Sequence, residues 1–153
     1  MSAVLKDQSE LAPMAEADLD AVMAIEGAIY WHPWTRQNFL DSLRAGYQCW
    51  TWRLDGKLAG YFILMIAAGE AHLLNLSVAA ERQGRGHGRL LLGEIVSLAR
   101  RCQAKHLFLE VRPSNRAAIG LYISSGFRQL AVRRGYYPAK GGREDALLLT
   151  LSL

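Results

Sequence analysis

The sequence predicts a mixed α/β domain in which a central, mostly antiparallel sheet is flanked by about four helices. The chain has 153 residues, of which 51% are hydrophobic, so it can bury one core without disulfides or metal ions. Its middle contains aromatic and aliphatic runs separated by turn dipeptides, as in a strand meander. After a cluster of glycines the apolar period changes from two residues to about 3.6, that is, from strand to helix. Because no repeat or linker interrupts these signals, we predict a single domain over residues 1–153.

Two helices are predicted ahead of the sheet. Residues 18–29 place apolar side chains at helical spacing, namely Leu19, Val22, Met23 and either Ile25 or Glu26. Asp18 is the expected N-cap of this helix. The second helix is predicted over residues 36–45, with Thr35 as its N-cap and Gly46 after its end.

Three strands of a meander follow. The first two are predicted over residues 47–54 and 57–66, because the Asp55-Gly56 dipeptide between them favours the positive φ angles of a tight hairpin. A second turn at Gly69-Glu70 leads into the third strand, residues 72–78, in which side chains alternate between two faces.

The second half is predicted to contain two helices and three strands. In chain order they are a helix over 90–102, a strand over 107–111, a helix from Ser114 or Asn115 to Ser125, and strands over 128–134 and 146–153. Gly126 follows the second of these helices, where a left-handed C-terminal cap is expected.

A run of alternating glycines lies between the third strand and the amphipathic helix, with the sequence Gln83-Gly84-Arg85-Gly86-His87-Gly88-Arg89. Glycines allow a ligand to approach the backbone, and the free N–H groups and dipole of a helix N-terminus favour an anion. A P-loop would need Lys and then Ser or Thr after its last glycine. A dinucleotide fingerprint would need GxGxxG spacing after the first strand of a βαβ unit. The run therefore predicts a phosphate-binding loop of another kind.

A carboxylate and a phenol form the second candidate pair. Glu110 lies near the end of a predicted strand, and Tyr122 lies on the helix that follows. Groups of these types can accept and donate protons in a reaction. Two structural interpretations stay open. Tyr122 shares a helical face with apolar residues and could belong to the core, and Glu110 could simply pair with Arg112 on the same side of the strand.

Composition bears on cofactors and compartment. Cys49 and Cys102 are isolated in apolar patterns, so we expect buried thiols. Metal-ligand spacing is absent around the four histidines, His32, His72, His87 and His106, so we predict no metal site.

The longest apolar run, residues 61–68, is too short to span a membrane and the N-terminus lacks a signal-peptide pattern. We therefore expect a soluble, cytoplasmic protein. Its net charge of +4 would suit a polyanionic partner but is also common among ordinary enzymes, so the charge alone does not identify a partner.

The glycine run resembles the coenzyme loop of the GNAT superfamily, Q/R-x-x-G-x-G/A. More narrowly, four segments together are similar to the bacterial ribosomal-protein-alanine N-acetyltransferase family. They are His32-Pro33-Trp34-Thr35, Leu109-Glu110-Val111-Arg112-Pro113-Ser114-Asn115, Arg134-Gly135-Tyr136-Tyr137-Pro138 and Arg143-Glu144-Asp145-Ala146. The resemblance implies a single GNAT-type domain with a partly splayed sheet. It also implies direct transfer, in a ternary complex, of the acetyl group of acetyl-CoA to the N-terminal α-amine of a small-subunit ribosomal protein that begins with alanine.

The same resemblance implies a role for each matched residue. Glu110 would accept a proton from the amine, and Tyr122 would donate one to the leaving thiolate. Trp34, Tyr136 and Tyr137 would flank the entrance for the peptide. The coenzyme would be bound by Leu76, Ser77, Val78, Gln83, Gly84, Arg85, Gly86, His87, Gly88, Arg89 and Asn115. The expected partner is a peptide N-terminus, and a monomer without direct nucleic-acid binding is expected.

Three other functions stay open. A lysine or small-molecule acetyltransferase could use the same fold. A non-catalytic acyl-CoA sensor would keep the glycine run and tolerate Glu110→Gln. An RNA-binding module would need aromatic residues interleaved with Lys and Arg on an exposed sheet, whereas the arginines concentrate around the glycine run and over residues 128–143.

Overall fold

The computed structural model describes residues 8–153, which contain seven strands and four α-helices. The strands are β1 (Ser9–Pro13), β2 (Gln48–Leu54), β3 (Lys57–Ala67), β4 (Glu70–Val78), β5 (His106–Val111), β6 (Arg128–Ala139) and β7 (Gly142–Ser152). The helices are α1 (Leu19–Ile29), α2 (Arg36–Arg44), α3 (His87–Arg101) and α4 (Arg116–Ser124).

All seven strands belong to one mixed sheet with the order β1-β2-β3-β4-β5-β7-β6. β4 and β5 pair in parallel, whereas β1 with β2, β5 with β7 and β6 with β7 pair antiparallel. The parallel ladder joins Glu70–Leu73 to His106–Leu109, and β4 then continues through Leu74 to Val78. The predicted α/β class, with a mostly antiparallel sheet and four helices, is confirmed.

The chain forms two compact units, residues 8–63 with 75–88 and residues 64–74 with 89–153. The first unit buries the apolar faces that predicted α1 and α2. Its core includes Leu19 and Val22 from α1, Phe39 from α2, and Tyr61 from β3. The Phe39 and Tyr61 rings meet edge to face with centroids 5.8 Å apart, a favourable arrangement for two aromatic rings.

The two predicted N-caps have different outcomes. The Thr35 hydroxyl accepts a hydrogen bond from the Asn38 backbone N–H at 3.1 Å, so Thr35 caps α2 as predicted. Asp18 occupies the N-cap position of α1 as predicted, but its side chain makes no cap hydrogen bond there. Instead its carboxylate accepts from the Ala15 backbone N–H at 2.7 Å and pairs with Arg53 at 2.8 Å.

Tight turns connect the strands of the meander. Asp55 and Gly56 have φ angles of 51° and 78°, as the Asp-Gly dipeptide predicted. The next turn consists of Ala68 and Gly69, with φ angles of 53° and 77°, one residue earlier than predicted. β4 therefore begins at Glu70, two residues before its predicted start.

β5 is the central strand of the second unit. Leu107, Leu109 and Val111 are buried on one face of it, so Phe108 and Glu110 belong to the other, half-exposed face. α4 ends before Gly126, whose φ of 100° matches the predicted left-handed cap.

The closing hairpin is longer than predicted. β6 runs to Ala139 instead of residue 134, and β7 begins at Gly142 instead of residue 146. Residues 134–136 form an irregularity between the paired positions Arg133 and Tyr137. A bulge of this kind lets a strand continue through glycine-rich and proline-rich sequence that otherwise reads as loop.

One strand of the sheet was not predicted. This strand, β1, pairs with β2 from Ser9↔Leu54 to Pro13↔Trp50. Cys49 is buried as expected, but Cys102 is only partly buried. None of the four described helices has the length and apolar character that crossing a membrane requires.

Candidate active site

The glycine run leaves β4 through a 3₁₀ turn, Ala80–Arg82, and enters α3 at His87. Gly84 and Gly86 have φ angles of 76° and 85°, in the left-handed region that residues with a Cβ atom adopt only at a cost. A Cβ atom added at either position meets nothing within 4 Å. Backbone conformation, rather than packing, therefore requires these glycines, and the space beside them is open.

This loop has the properties of an anion site. α3 is 15 residues long, and the N–H groups of its first turn lack partners within the helix. The helix dipole adds partial positive charge at the same end. Arg82 and Arg85 precede the helix, and no acidic residue occurs between Arg82 and Arg89. The residues present therefore fit a pyrophosphate group.

Two side chains of the loop fix its position. The Gln83 side-chain amide donates to the Val78 carbonyl at 3.0 Å, which ties the loop to the end of β4. The His87 ring packs against the buried Trp52 ring, with centroids 4.8 Å apart. Gln83 and His87, both predicted to bind the coenzyme, thus hold the loop that carries the glycines.

Two further residues predicted to bind the coenzyme are engaged with α4. The Arg89 guanidinium donates to Ser124 Oγ at 2.7 Å and to Ser125 Oγ at 3.3 Å. Asn115 is the N-cap of α4, and its side-chain oxygen accepts from the Ala118 backbone N–H at 3.2 Å. Arg89 can therefore reach a ligand most directly through its backbone N–H, in the first turn of α3.

A tyrosine fixes the position of the end of β4, the segment that was predicted to hold the acetyl-pantetheine arm. The Tyr30 hydroxyl bonds Ser77 Oγ at 2.7 Å and donates to the Leu76 carbonyl at 3.2 Å. Ser77 is 2% exposed, so its side chain belongs to the interior. The carbonyl oxygens of Leu76 and Val78 thus each accept a side-chain hydrogen bond, from Tyr30 and from Gln83.

Glu110 lies on the half-exposed face of β5 between two basic side chains. Its Oε1 is 3.9 Å from His72 Nε2, and its Oε2 is 3.5 Å from Arg133 Nε. Glu110 Oε2 and His72 Nε2 are both buried without a hydrogen-bond partner in residues 8–153. Arg112 pairs instead with Glu144 at 3.3 Å, so the interpretation in which Glu110 only pairs with Arg112 is wrong. The Glu110 carboxylate retains capacity to accept a proton or a hydrogen bond.

The structure brings Tyr136 and Tyr137 to this carboxylate. Burial, together with the negative charge of Glu110, raises the pKa of Tyr136, and the same causes raise the pKa of Tyr137 to about 12. Their rings meet edge to face at 4.9 Å. The Arg133 guanidinium lies 5.3 Å from the Tyr136 ring centroid, and that of Arg112 lies 4.4 Å from the Tyr137 ring centroid.

The hairpin bulge that carries this tyrosine pair is held by β7. Asp145 accepts from the Gly135 backbone N–H at 2.9 Å. Arg143 donates to the carbonyls of Gly135, at 2.6 Å, and Tyr136, at 3.0 Å. Two of the segments that carried the family resemblance, residues 134–138 and 143–146, therefore form one hydrogen-bonded unit.

Tyr122 and Trp34 are packed side chains. Tyr122 is 8% exposed and its ring lies edge-on to Phe127 with centroids 5.5 Å apart. Trp34 is half-buried against the core of the first unit, 5.0 Å from the Phe39 ring. The catalytic role of Tyr122 and the substrate role of Trp34 stay predictions.

These loop and strand geometries agree with comparison to known proteins. Residues 14–127 match the model of the acetyltransferase (GNAT) family. The chain belongs to the GNAT family.

Relatives of this acetyltransferase align over nearly all of its length. The [ribosomal protein bS18]-alanine N-acetyltransferase of Escherichia coli is 35% identical over 94% of this chain and 97% of that protein. The crystal structure of the Escherichia coli ribosomal-protein-S18-alanine N-acetyltransferase superposes with a TM-score of 0.89 at 34% identity, covering 95% of this chain and 94% of that one. The yncA protein of Salmonella typhimurium, solved with its cofactor acetyl-CoA, has the same fold, with a TM-score of 0.80 at 23% identity and coverage of 95% and 94%.

Sequence reasoning missed three polar residues that this acetyltransferase places at or behind these sites. Glu26 is 1% exposed, Tyr30 holds the end of β4, and His72 faces Glu110. Of these three, only Glu26 had a sequence feature that could have revealed it, because it lies at an apolar position of the α1 pattern. Among the described residues, no group of three or more His, Cys, Asp or Glu side chains could hold a metal ion.

Proposed function

We propose that this chain transfers the acetyl group of acetyl-CoA to the N-terminal α-amine of a protein, a small-subunit ribosomal protein that begins with alanine. Its relatedness, along almost the whole chain, to a bS18-alanine N-acetyltransferase carries the proposal. The glycine loop supports it, because its open backbone and positive charge suit the pyrophosphate of acetyl-CoA. Acetyl-CoA supplies an activated thioester for direct attack by the amine.

Glu110 is the proposed proton acceptor. An ammonium group cannot attack a thioester until it has lost a proton. The Glu110 carboxylate has an oxygen without a hydrogen-bond partner in residues 8–153, and two aromatic side chains beside it, Tyr136 and Tyr137, can exclude water and line a path for the peptide. Since a free α-amine has a pKa near ~8 and a lysine amine near ~10.4, an α-amine needs roughly 3 kcal/mol less help to become neutral. A carboxylate base therefore favours N-terminal substrates.

Tyr122 is the proposed proton donor to the departing thiolate. Its buried phenol lies on α4, which follows the strand that carries Glu110. A thiolate that receives a proton as the C–S bond breaks is a better leaving group. The backbone of residues 76–78 and the loop of residues 83–89 would hold the coenzyme, with Asn115 fixing the start of α4.

We propose a single acetyltransferase domain over residues 1–153 that acts as a monomer in the cytoplasm, where ribosomal proteins are made, without binding nucleic acid itself. Light scattering checks the monomer, and a filter-binding assay with ribosomal RNA checks the last point.

The test is steady-state acetylation of a peptide with an N-terminal alanine, followed by mass spectrometry, with the wild type, Glu110→Gln and Tyr122→Phe. Each variant should lose about 100-fold or more in kcat while still binding acetyl-CoA. Glu94→Gln, an exposed carboxylate on α3, is the matched control and should keep full activity. Acetylation of lysine peptides alone would favour a lysine acetyltransferase. Binding of acetyl-CoA without turnover by the wild type would favour a sensor.

A further inference from the structure

His72 and Glu110 are neighbours that each have a buried side-chain atom without a hydrogen-bond partner in residues 8–153, namely His72 Nε2 and Glu110 Oε2. His72 lies on β4 opposite Phe108 of β5, and Glu110 follows two residues later on the same face of β5. His72 Nε2 is 3.9 Å from Glu110 Oε1, which is longer than a hydrogen bond. Buried polar atoms normally have partners, so two unpartnered atoms on neighbouring side chains, one on a base and one on an acid, call for an explanation, and a role in proton transfer is one that fits both groups. Catalytic hydrogen bonds often are long without substrate and shorten when it binds.

Proton balance in the proposed reaction requires a group of this kind. The amine nitrogen forms a bond to the acetyl carbon, and the C–S bond breaks with its electron pair on sulfur. Starting from an ammonium, nitrogen loses two protons in becoming an amide. Tyr122 gives one proton to sulfur, which becomes the thiol, and regains one of the two protons from nitrogen, while the other stays on Glu110. Each turnover therefore leaves one proton that must reach solvent before Glu110 can act again.

The neighbours of Glu110 differ in their ability to take that proton. Arg133 is permanently charged and cannot accept one. Tyr136 and Tyr137 have phenols whose pKa is raised by burial and by Glu110, so they keep their own protons. An imidazole can accept a proton on one nitrogen and release another from its second nitrogen. His72 is the group among these four that can relay a proton.

The exposure of His72 gives the relay a direction. Its side chain is 32% exposed, against 17% for Glu110, yet its Nε2 is buried toward Glu110. The exposed fraction of the side chain therefore lies on atoms other than Nε2. Among these, Nδ1 does not belong to the buried, unpartnered atoms of residues 8–153, so a proton taken up at Nε2 can be balanced by one released from Nδ1.

We infer that His72 relays the proton collected by Glu110 to solvent. His72 thus acts through Glu110 rather than on the substrate. This inference rests on the proposed base role of Glu110. His72 also packs on the Phe108 ring, with centroids 5.7 Å apart. A purely structural role would consist of that packing alone.

His106 provides a matched control, because its ring contacts the same Phe108 at 5.9 Å and it begins β5 instead of facing Glu110. The experiment measures kcat and KM for acetyl-CoA and for an alanine-terminated peptide with the wild type, His72→Phe, His106→Phe and Glu110→Gln. Each assay is repeated with increasing concentrations of a small buffer base, imidazole. Acetyl-CoA binding verifies that every variant is folded.

His72→Phe should lower kcat about tenfold or more, leave KM for acetyl-CoA within about twofold, and regain turnover as imidazole rises. Wild type and His106→Phe should be fast and indifferent to imidazole. A His72→Phe enzyme with wild-type kcat, or one whose slow turnover imidazole does not raise, would overturn the inference while an inactive Glu110→Gln left the proposed function intact. If the wild type acetylated no α-amine, both would be overturned.

Discussion

The carboxylate of Glu26, near the end of α1, accepts a hydrogen bond from the backbone N–H of Trp34 at 2.9 Å. Its other oxygen accepts from the Tyr61 hydroxyl at 2.7 Å and from the Asn75 side-chain amide at 3.2 Å. Asn75 in turn accepts from Ser77 Oγ at 2.6 Å, and Ser77 bonds Tyr30. A single buried carboxylate thus joins the loop that contains Trp34 to the end of β4.

Glu26→Ala should therefore lower the free energy of unfolding by ~3 kcal/mol or more, because two buried donors and one partly buried donor lose their acceptor at once. Urea denaturation measures the change. Asp20→Ala is the control on the same helix, since Asp20 is 90% exposed in its pair with Arg36 and should cost within about 1 kcal/mol. Equal losses for the two variants would show that the Glu26 network contributes nothing of its own.

Gly86→Ala should destabilise the protein by about 1–2 kcal/mol, because alanine adopts a φ of 85° only at an energetic cost, even where the space for its Cβ is open. It should also weaken acetyl-CoA binding, measured by calorimetry, since the glycine loop is the proposed pyrophosphate site. Gly93 lies exposed in α3 without a positive φ, and its Cβ position is equally open. Gly93→Ala should be neutral or stabilise by up to about 1 kcal/mol and bind acetyl-CoA normally. Weaker binding by both variants would mean that the loop is not the site.

The two cysteines should differ in reactivity. Burial raises the pKa of the Cys49 thiol to about 11, so its reactive thiolate stays scarce up to that pH. Cys102 is only partly buried. A thiol reagent applied to the native protein near neutral pH should label Cys102 quickly and Cys49 only on unfolding. Cys102→Ser should abolish the fast phase, and a fast phase that survived this change would contradict the burial of Cys49.

Glu144 should contribute to stability in a pH-dependent way. Hydrogen bonds from Ser114, and then the interaction with Arg112, lower the pKa of its carboxyl. A pKa lowered in the folded state stabilises the protein above the unfolded pKa, and the contribution is lost as pH falls through the folded value. The melting temperature of the wild type should therefore exceed that of Glu144→Gln near neutral pH, and the gap should close below about pH 4.5. A gap that stayed constant across this range would refute the account of Glu144.

Local signals made much of the fold predictable. The Thr35 cap, the Asp55-Gly56 turn and the apolar faces of α1 and α2 each depend on residues close in sequence, and the structure has them. β1 was not predicted, because the sequence of residues 9–13 shows no alternation and these residues become a strand only by pairing with β2. Residues 135–145 were not predicted as strand, because the hydrogen bonds that make them one run between β6 and β7 rather than along the chain.

The candidate site was predictable where glycines and family motifs marked it. Glu26, Tyr30 and His72 were missed because each acquires its importance from partners far away in sequence. Glu26 occupies an apolar position of a helix, and its burial is tolerable because it accepts hydrogen bonds from Trp34 and from the distant residues Tyr61 and Asn75. His72 likewise gains a partner, Glu110, only when β4 and β5 pair.

The most direct test of the central claim uses one peptide that begins with alanine and also contains a lysine, incubated with acetyl-CoA and the wild-type protein. Fragmentation mass spectrometry then locates each acetyl group. Acetylation of the α-amine with an unmodified lysine, lost in Glu110→Gln, is the predicted result. Acetylation of the lysine with an unmodified α-amine, or equal α-amine acetylation by Glu110→Gln, would contradict it.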